Sequence, residues 1–306
     1  AVWESNDIIT VLEEALRSGE QSGKSMLPSA GPSRERVLAE LTALDSPQTG
    51  LAIGSAGYVY MRGASFGEKP PADGANLPAL RETFIDSLRA LEERLTRTPG
   101  PYFEEDFGVL DIALWPSLER QAAGLPAFRS FQLRGSKDFP AVAAWLAAMD
   151  SRPAVRTVAS DDGTLLRLFS RVFGMAGGAP PSDAPAEFGG HAAKEAAAKL
   201  VRNRAAVAAD IVEHAGLSSS LTREVTLDVI DASLALVASR LVGEPADSSR
   251  VPKEHASAAA SVVSAALAFL RTRVSAPRDM SASAAVQLRA ACAIEAAVAY
   301  DRFGYN

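Results

Sequence analysis

The stretch from residue 77 to 96 constrains the fold most. Leu80, Phe84, Leu88, Leu91 and Leu95 recur at three- and four-residue steps, which puts them on one face of a helix and on no single face of a strand. The same spacing returns along most of the chain. Residues 33–44 read as a short helix, and a second begins near Gly108 and runs to about Ala123. Phe139-Pro140 and Arg152-Pro153 each open a further one, since proline is favoured at a first helical position. Residues 164–173 carry another stripe, and four long patterns follow at 191–215, 222–242, 253–274 and 281–300. Short loops between these four predict neighbouring helices in a bundle. No stretch alternates as a strand does, and alanine is abundant while β-branched runs are few. The expected fold class is all-α.

Ambiguity is confined to two places. Residues 51–67 contain Gly54-Ser55-Ala56-Gly57, then Tyr58, Tyr60 and Arg62. This reads as a small-residue helix or as an irregular apolar segment. The small residues would let another element approach closely. Tight helix packing is the favoured explanation, and a pocket lined by Tyr58 and Tyr60 is the functional one. The second place is residues 174–190, where Gly, Ala and Pro dominate; these are expected to form a linker or surface loop.

Charge and composition exclude several functions. Lys+Arg is 31 against 37 Asp+Glu, a net charge of −6, which argues against a nucleic-acid partner because that affinity needs a basic face. A single cysteine, Cys292, rules out a disulfide framework and points to a reducing, intracellular compartment. Cys292 lies among alanines and is expected to be a buried, inert thiol. The histidines, His191, His214 and His255, are scattered with no metal-ligand spacing, and exposed helix positions are expected for them. Gly19-Glu20-Gln21-Ser22-Gly23-Lys24-Ser25 falls short of a phosphate loop, having three residues between its glycines and a helix before it. No transmembrane segment is expected: the longest apolar stretch, near residues 256–270, is broken by serines and is shorter than the ~18–20 residues of a span. Ala1-Val2-Trp3-Glu4 shows no signal or transit pattern and no initiator Met. The natural polypeptide is therefore expected to begin upstream.

Three passages together resemble the glutathione transferase superfamily. The first is Glu4-Ser5 leading into Asn6-Asp7-Ile8-Ile9 and Leu12, with apolar residues at 8, 9, 12, 15 and 16 and Ser5 at an N-cap position. The second is Gly100-Pro101-Tyr102-Phe103, then Phe107-Gly108-Val109-Leu110-Asp111-Ile112, Pro116 and Leu118-Glu119-Arg120. It is similar to the family's core helix, where a Ser or Thr cap and an Asp three residues on close a capping box. Here the cap is Gly108, so only Asp111 is left to reach back to the backbone. The third is Phe139-Pro140-Ala141-Val142-Ala143-Ala144-Trp145-Leu146 with Met149 and Arg152-Pro153.

The resemblance implies a fold and a ligand. Residues 1–20 would be the end of a thioredoxin-like domain, 21–170 the helical domain, 171–190 a linker and 191–306 a C-terminal helical extension. Glutathione would be the co-substrate. Glu4 and Ser5, at a helix start that offers N–H groups and positive dipole, would hold its γ-glutamyl end. Tyr58, Tyr60 and Trp115 would line a substrate pocket. The family's thiol-activating residue and its cis-proline would both precede Ala1, so no catalytic residue can be assigned and the chain as it stands is not expected to catalyse. The alternative is a non-catalytic scaffold or structural subunit with protein partners in a larger assembly. Leu118-Glu119-Arg120, Arg134-Gly135 and Ser160-Asp161 look most like transferase-like proteins of plants and algae, often plastid proteins, so the chloroplast stands beside the cytoplasm as a compartment. The helices after Gly190, with Arg278-Asp279-Met280 before the last, look like the tail of some algal members.

Overall fold

A computed structural model describes residues 5–19, 25–28, 30–44, 52–175, 187–245 and 256–303. Among them are twelve helices and no strand: α1 (Ser5–Ser18), α2 (Pro32–Ala43), α3 (Ile53–Arg62), α4 (Leu77–Leu95), α5 (Val109–Arg129), α6 (Pro140–Ser151), α7 (Pro153–Val158), α8 (Asp162–Phe173), α9 (His191–His214), α10 (Arg223–Val242), α11 (Ala256–Arg273) and α12 (Ala282–Phe303). The all-α expectation is thus borne out. The chain divides into two compact units, residues 1–155 with 168–179, and residues 156–167 with 180–306. The division falls inside both α7 and α8.

In the first unit α5 is the axis. It buries residues on every side, from Val109 and Leu110 through Leu114, Trp115 and Leu118 to Leu125, as a helix does when it is surrounded. It packs against α1, α2, α3 and α6, while α4 packs on α3 and α6. The sequence places its end near Ala123, but the helix continues to Arg129 through Pro126. The ambiguous residues 51–67 contain the helix α3, and their small residues serve packing. A Cβ on Gly57 would lie 2.1 Å from Cδ of Gln121, and one on Gly124 would lie 2.1 Å from Sδ of Met61. Glycines on both partners therefore let α3 and α5 touch nearly backbone to backbone.

Charged side chains tie the remaining helices in. Arg94, buried on α4, donates through Nη2 to Glu40 at 2.7 Å and to Glu104 at 2.9 Å, and through Nη1 to the Phe103 carbonyl at 2.8 Å. Glu92 caps α6 with both oxygens, accepting from the N–H groups of Ala141 at 2.8 Å and Val142 at 2.9 Å. Those are orphan donors of a helix start, and Pro140 at the first position needs none.

The second unit is built mainly on α9 to α12. Helices α9 and α10 pack together, as do α11 and α12, and α12 also packs on α9 and α10. Alanines such as Ala196, Ala259, Ala266, Ala284 and Ala291 sit fully inside with Leu200, Ile230, Leu234 and Leu267. Ser281 precedes α12 and gives its hydroxyl at 2.6 Å and its N–H at 2.8 Å to Glu195 of α9, joining the two helices at that end. Buried Arg289 donates to buried Asp161 at 2.6 Å. By length and composition alone Ala282–Asp301 could cross a membrane, which shifts the nearest approach to a span from residues 256–270 to α12. Half of that window is buried, and Arg289 and Glu295 within it are paired, as befits a core helix.

Candidate functional site

The first unit concentrates its polar order at the start of α5. Gly108 is the cap and adopts an extended backbone. Asp111, fully buried, reaches back and accepts from the Gly108 N–H at 2.9 Å. The expectation that Asp111 alone closes this box holds. Two other partners have no signature in the local pattern: Asp111 Oδ1 also accepts from the Trp145 indole at 2.7 Å and from the Phe103 N–H at 3.3 Å. One carboxylate thereby fastens α5, α6 and the incoming chain together. Burial pushes the Asp111 carboxyl above its ordinary range, and the three donors pull against that push. The signal that could have found the Trp145 bond is general: a buried indole N–H needs an acceptor.

Beside this point lies a cleft of about 550 Å³, bounded by Met26, Tyr102, Phe107, Gly108 and Arg152 among others. The Arg152 guanidinium lies 3.5 Å over the Phe107 ring and donates to the Tyr102 hydroxyl at 3.1 Å, while its buried Nε has no partner among the described residues. Glu13 of α1 holds three lining residues in place, accepting from the Ser25 hydroxyl at 2.7 Å and from the Met26 and Leu27 N–H groups at 2.7 and 3.2 Å. Ser25 is thus committed to a carboxylate. The arrangement offers aromatic faces and a cation for binding.

The three aromatic residues assigned to a pocket go to three different places. Tyr58 is half-buried against Phe66, Phe169 and Phe173, with ring centroids 6.4 Å apart in each case. Burial raises its phenol, and the nearby Arg120 offsets only part of that, so Tyr58 is a neutral donor at pH 7. Tyr60, two residues on and therefore on another face of the helix, is buried and stacks on Phe84 at 5.6 Å under the Arg129 guanidinium. Trp115 is buried 6.2 Å from Trp145.

Ser5 is the first residue of α1, and Glu4 lies outside the described residues. The apolar stripe of α1 is present, yet Ile8 and Leu12 stay exposed, with Val11 beside them. His214 is exposed at the end of α9 and His191 at its start, while His255 lies outside the described residues. Cys292 is buried in the second unit, as expected. Residues 20–24 of the glycine-rich run and 176–186 of the expected linker also lie outside the described residues.

An all-helical domain organised around one buried, aspartate-capped helix is the class these features define. Residues 74–148, from the approach to α4 into α6, match the family model described as glutathione S-transferase, C-terminal domain. The resemblance stated from the sequence is borne out over that stretch, about a quarter of the chain. No curated protein and no solved structure matches the chain.

Proposed function

We propose that this chain is the helical part of a glutathione transferase-like protein and that it binds without catalysing. The observation that carries the reading is the family match over residues 74–148, centred on the Asp111 box that organises the domain. Glutathione meets the chain at its γ-glutamyl end, through Ser5 at the start of α1 and Glu4 before it in sequence, where helix N–H groups and the helix dipole favour a carboxylate. Tyr58, Tyr60 and Trp115 contribute to packing first, which suits a domain that holds its shape rather than one that opens for an electrophile. The test is conjugation of glutathione to an activated aryl halide with the chain present. The expected rate equals the uncatalysed one. A faster rate that heat denaturation abolishes would refute the reading.

A scaffold role is the second reading, and α1 favours it. Ile8, Val11 and Leu12 are 40%, 51% and 55% exposed on one short helix, an apolar face that a protein partner in a larger assembly, plastid or cytoplasmic, would cover. Sedimentation of the purified chain, with pull-downs from its own cells, tests this. Self-association or a stoichiometric partner lost in Leu12→Asp supports it. A monomer that recovers no partner counts against it.

A further inference from the structure

The second unit holds a cleft that no part of the transferase reading uses. It lies between α9, the end of α11 and the connection to α12, and measures about 570 Å³, within the ~300–1,000 Å³ usual for small-molecule sites. Its walls include Leu200, Ile211, Leu270 and Leu288, all buried or nearly so, and the half-buried ring of Phe269. Its rim is cationic, with Lys199 and Arg202 one turn apart on α9 and Arg273 and Arg278 opposite.

The two carboxylates at this rim do not cancel that charge. Asp279 is committed to Arg278, at 2.8 and 2.9 Å, and to the Ser275 N–H at 2.8 Å. Burial works against its ionisation, but these bonds outweigh it and hold the carboxyl below its usual range. Asp210 faces Arg273 at 3.4 Å and His214 at 3.1 Å. Arg278 also answers the Arg273 carbonyl at the end of α11, so it belongs to the frame. Lys199 and Arg202 are different. Both are exposed, and among the described residues neither side chain makes an ion pair or a hydrogen bond. Glu195, one turn before Lys199, accepts two bonds from Ser281 and feels the Lys199 charge without pairing with it directly.

The geometry points to a binding site for an amphipathic organic anion, its apolar body on the Leu200–Phe269 floor and its anionic group between Lys199 and Arg202. Two exposed cations that make no ion pair or hydrogen bond among the described residues, over buried leucines, offer what neither a neutral apolar molecule nor a bare inorganic anion would use in full. The site does not depend on the glutathione reading, since it shares no residue with it.

Decanoate, titrated calorimetrically into the full chain below its micellar range, is the probe. One saturable site per chain is expected, weakened about tenfold in Lys199→Gln/Arg202→Gln, as losing a charged hydrogen bond implies. Lys137→Gln, an exposed cation in the first unit, should leave it unchanged. Decan-1-ol, equal in length and uncharged, should bind the unaltered chain at least tenfold more weakly. That comparison needs no variant to fold. Absence of saturable binding, equal affinity in the double variant, or equal affinity for the alcohol would each overturn the proposal.

Discussion

Substituting Gly57 by alanine tests whether α3 and α5 really meet through glycine. The added Cβ would stand 2.1 Å from Cδ and Oε1 of Gln121 and 2.5 Å from its Nε2, all well inside contact distance. Gln121 cannot give way cheaply. Its side chain is wholly buried and donates to the carbonyls of Ile53 at 2.9 Å and Gly54 at 3.2 Å. Displacing it forfeits two bonds worth roughly 1–3 kcal/mol together. Overpacking adds about 1–3 kcal/mol. Alanine returns about 1 kcal/mol of helix propensity, leaving a net loss of about 3 kcal/mol. Urea unfolding followed by tryptophan fluorescence reads this unit, because Trp115 and Trp145 sit on α5 and α6. Combining the substitution with Gln121→Ala should recover the steric part as a coupling of about 1–3 kcal/mol. An unchanged or raised midpoint in Gly57→Ala would show that the close approach is not there.

Trp145→Phe removes the indole donor from buried Asp111 and should cost about 1.5–3 kcal/mol in the same assay. Its deficit depends on pH. Burial already raises the Asp111 carboxyl in the folded state, and losing a donor to the ionised form raises it further. The folded chain then holds a proton that the unfolded chain has released, so stability falls as pH rises from the ordinary aspartate range to the folded value. The deficit should therefore be larger at pH 8 than at pH 4; equal deficits would refute the role given to the indole bond. Glu195→Gln shows the opposite sign. Burial disfavours the Glu195 carboxylate, but its bonds from Ser281 and the nearby positive charges of Lys199 and His191 hold the carboxyl below its usual range. Stability from Glu195 is present above the ordinary glutamate range and is lost as pH falls through the folded value. The variant should be less stable than the parent at pH 7 and indistinguishable at low pH; an identical pH profile for the two would contradict this.

Helix positions were legible because the apolar spacing is regular and proline marks two of the starts, Pro140 and Pro153. The end of α5 was less so, because Pro126 looks like a stop and its helix continues past it. The Asp111 box was visible as a spacing of three residues, whereas its bond to Trp145 joins positions 34 apart that no local pattern links. The same holds for Gln121 against Gly57, and for Glu92 capping α6 across 49 residues. Tyr58 and Tyr60, two residues apart, face different neighbours because helix geometry turns such positions away from each other. The cationic cleft was hidden for a different reason. Lys199 and Arg202 look like ordinary solvated helix residues until α11 supplies the apolar floor.

Saturation-transfer NMR of glutathione with the chain tests the proposed function most directly. Saturation should be strongest on the γ-glutamyl protons, weak on the cysteinyl and glycyl protons, and lost in Ser5→Ala. No transfer at all, or transfer that Ser5→Ala leaves unchanged, would contradict a glutathione contact at the start of α1.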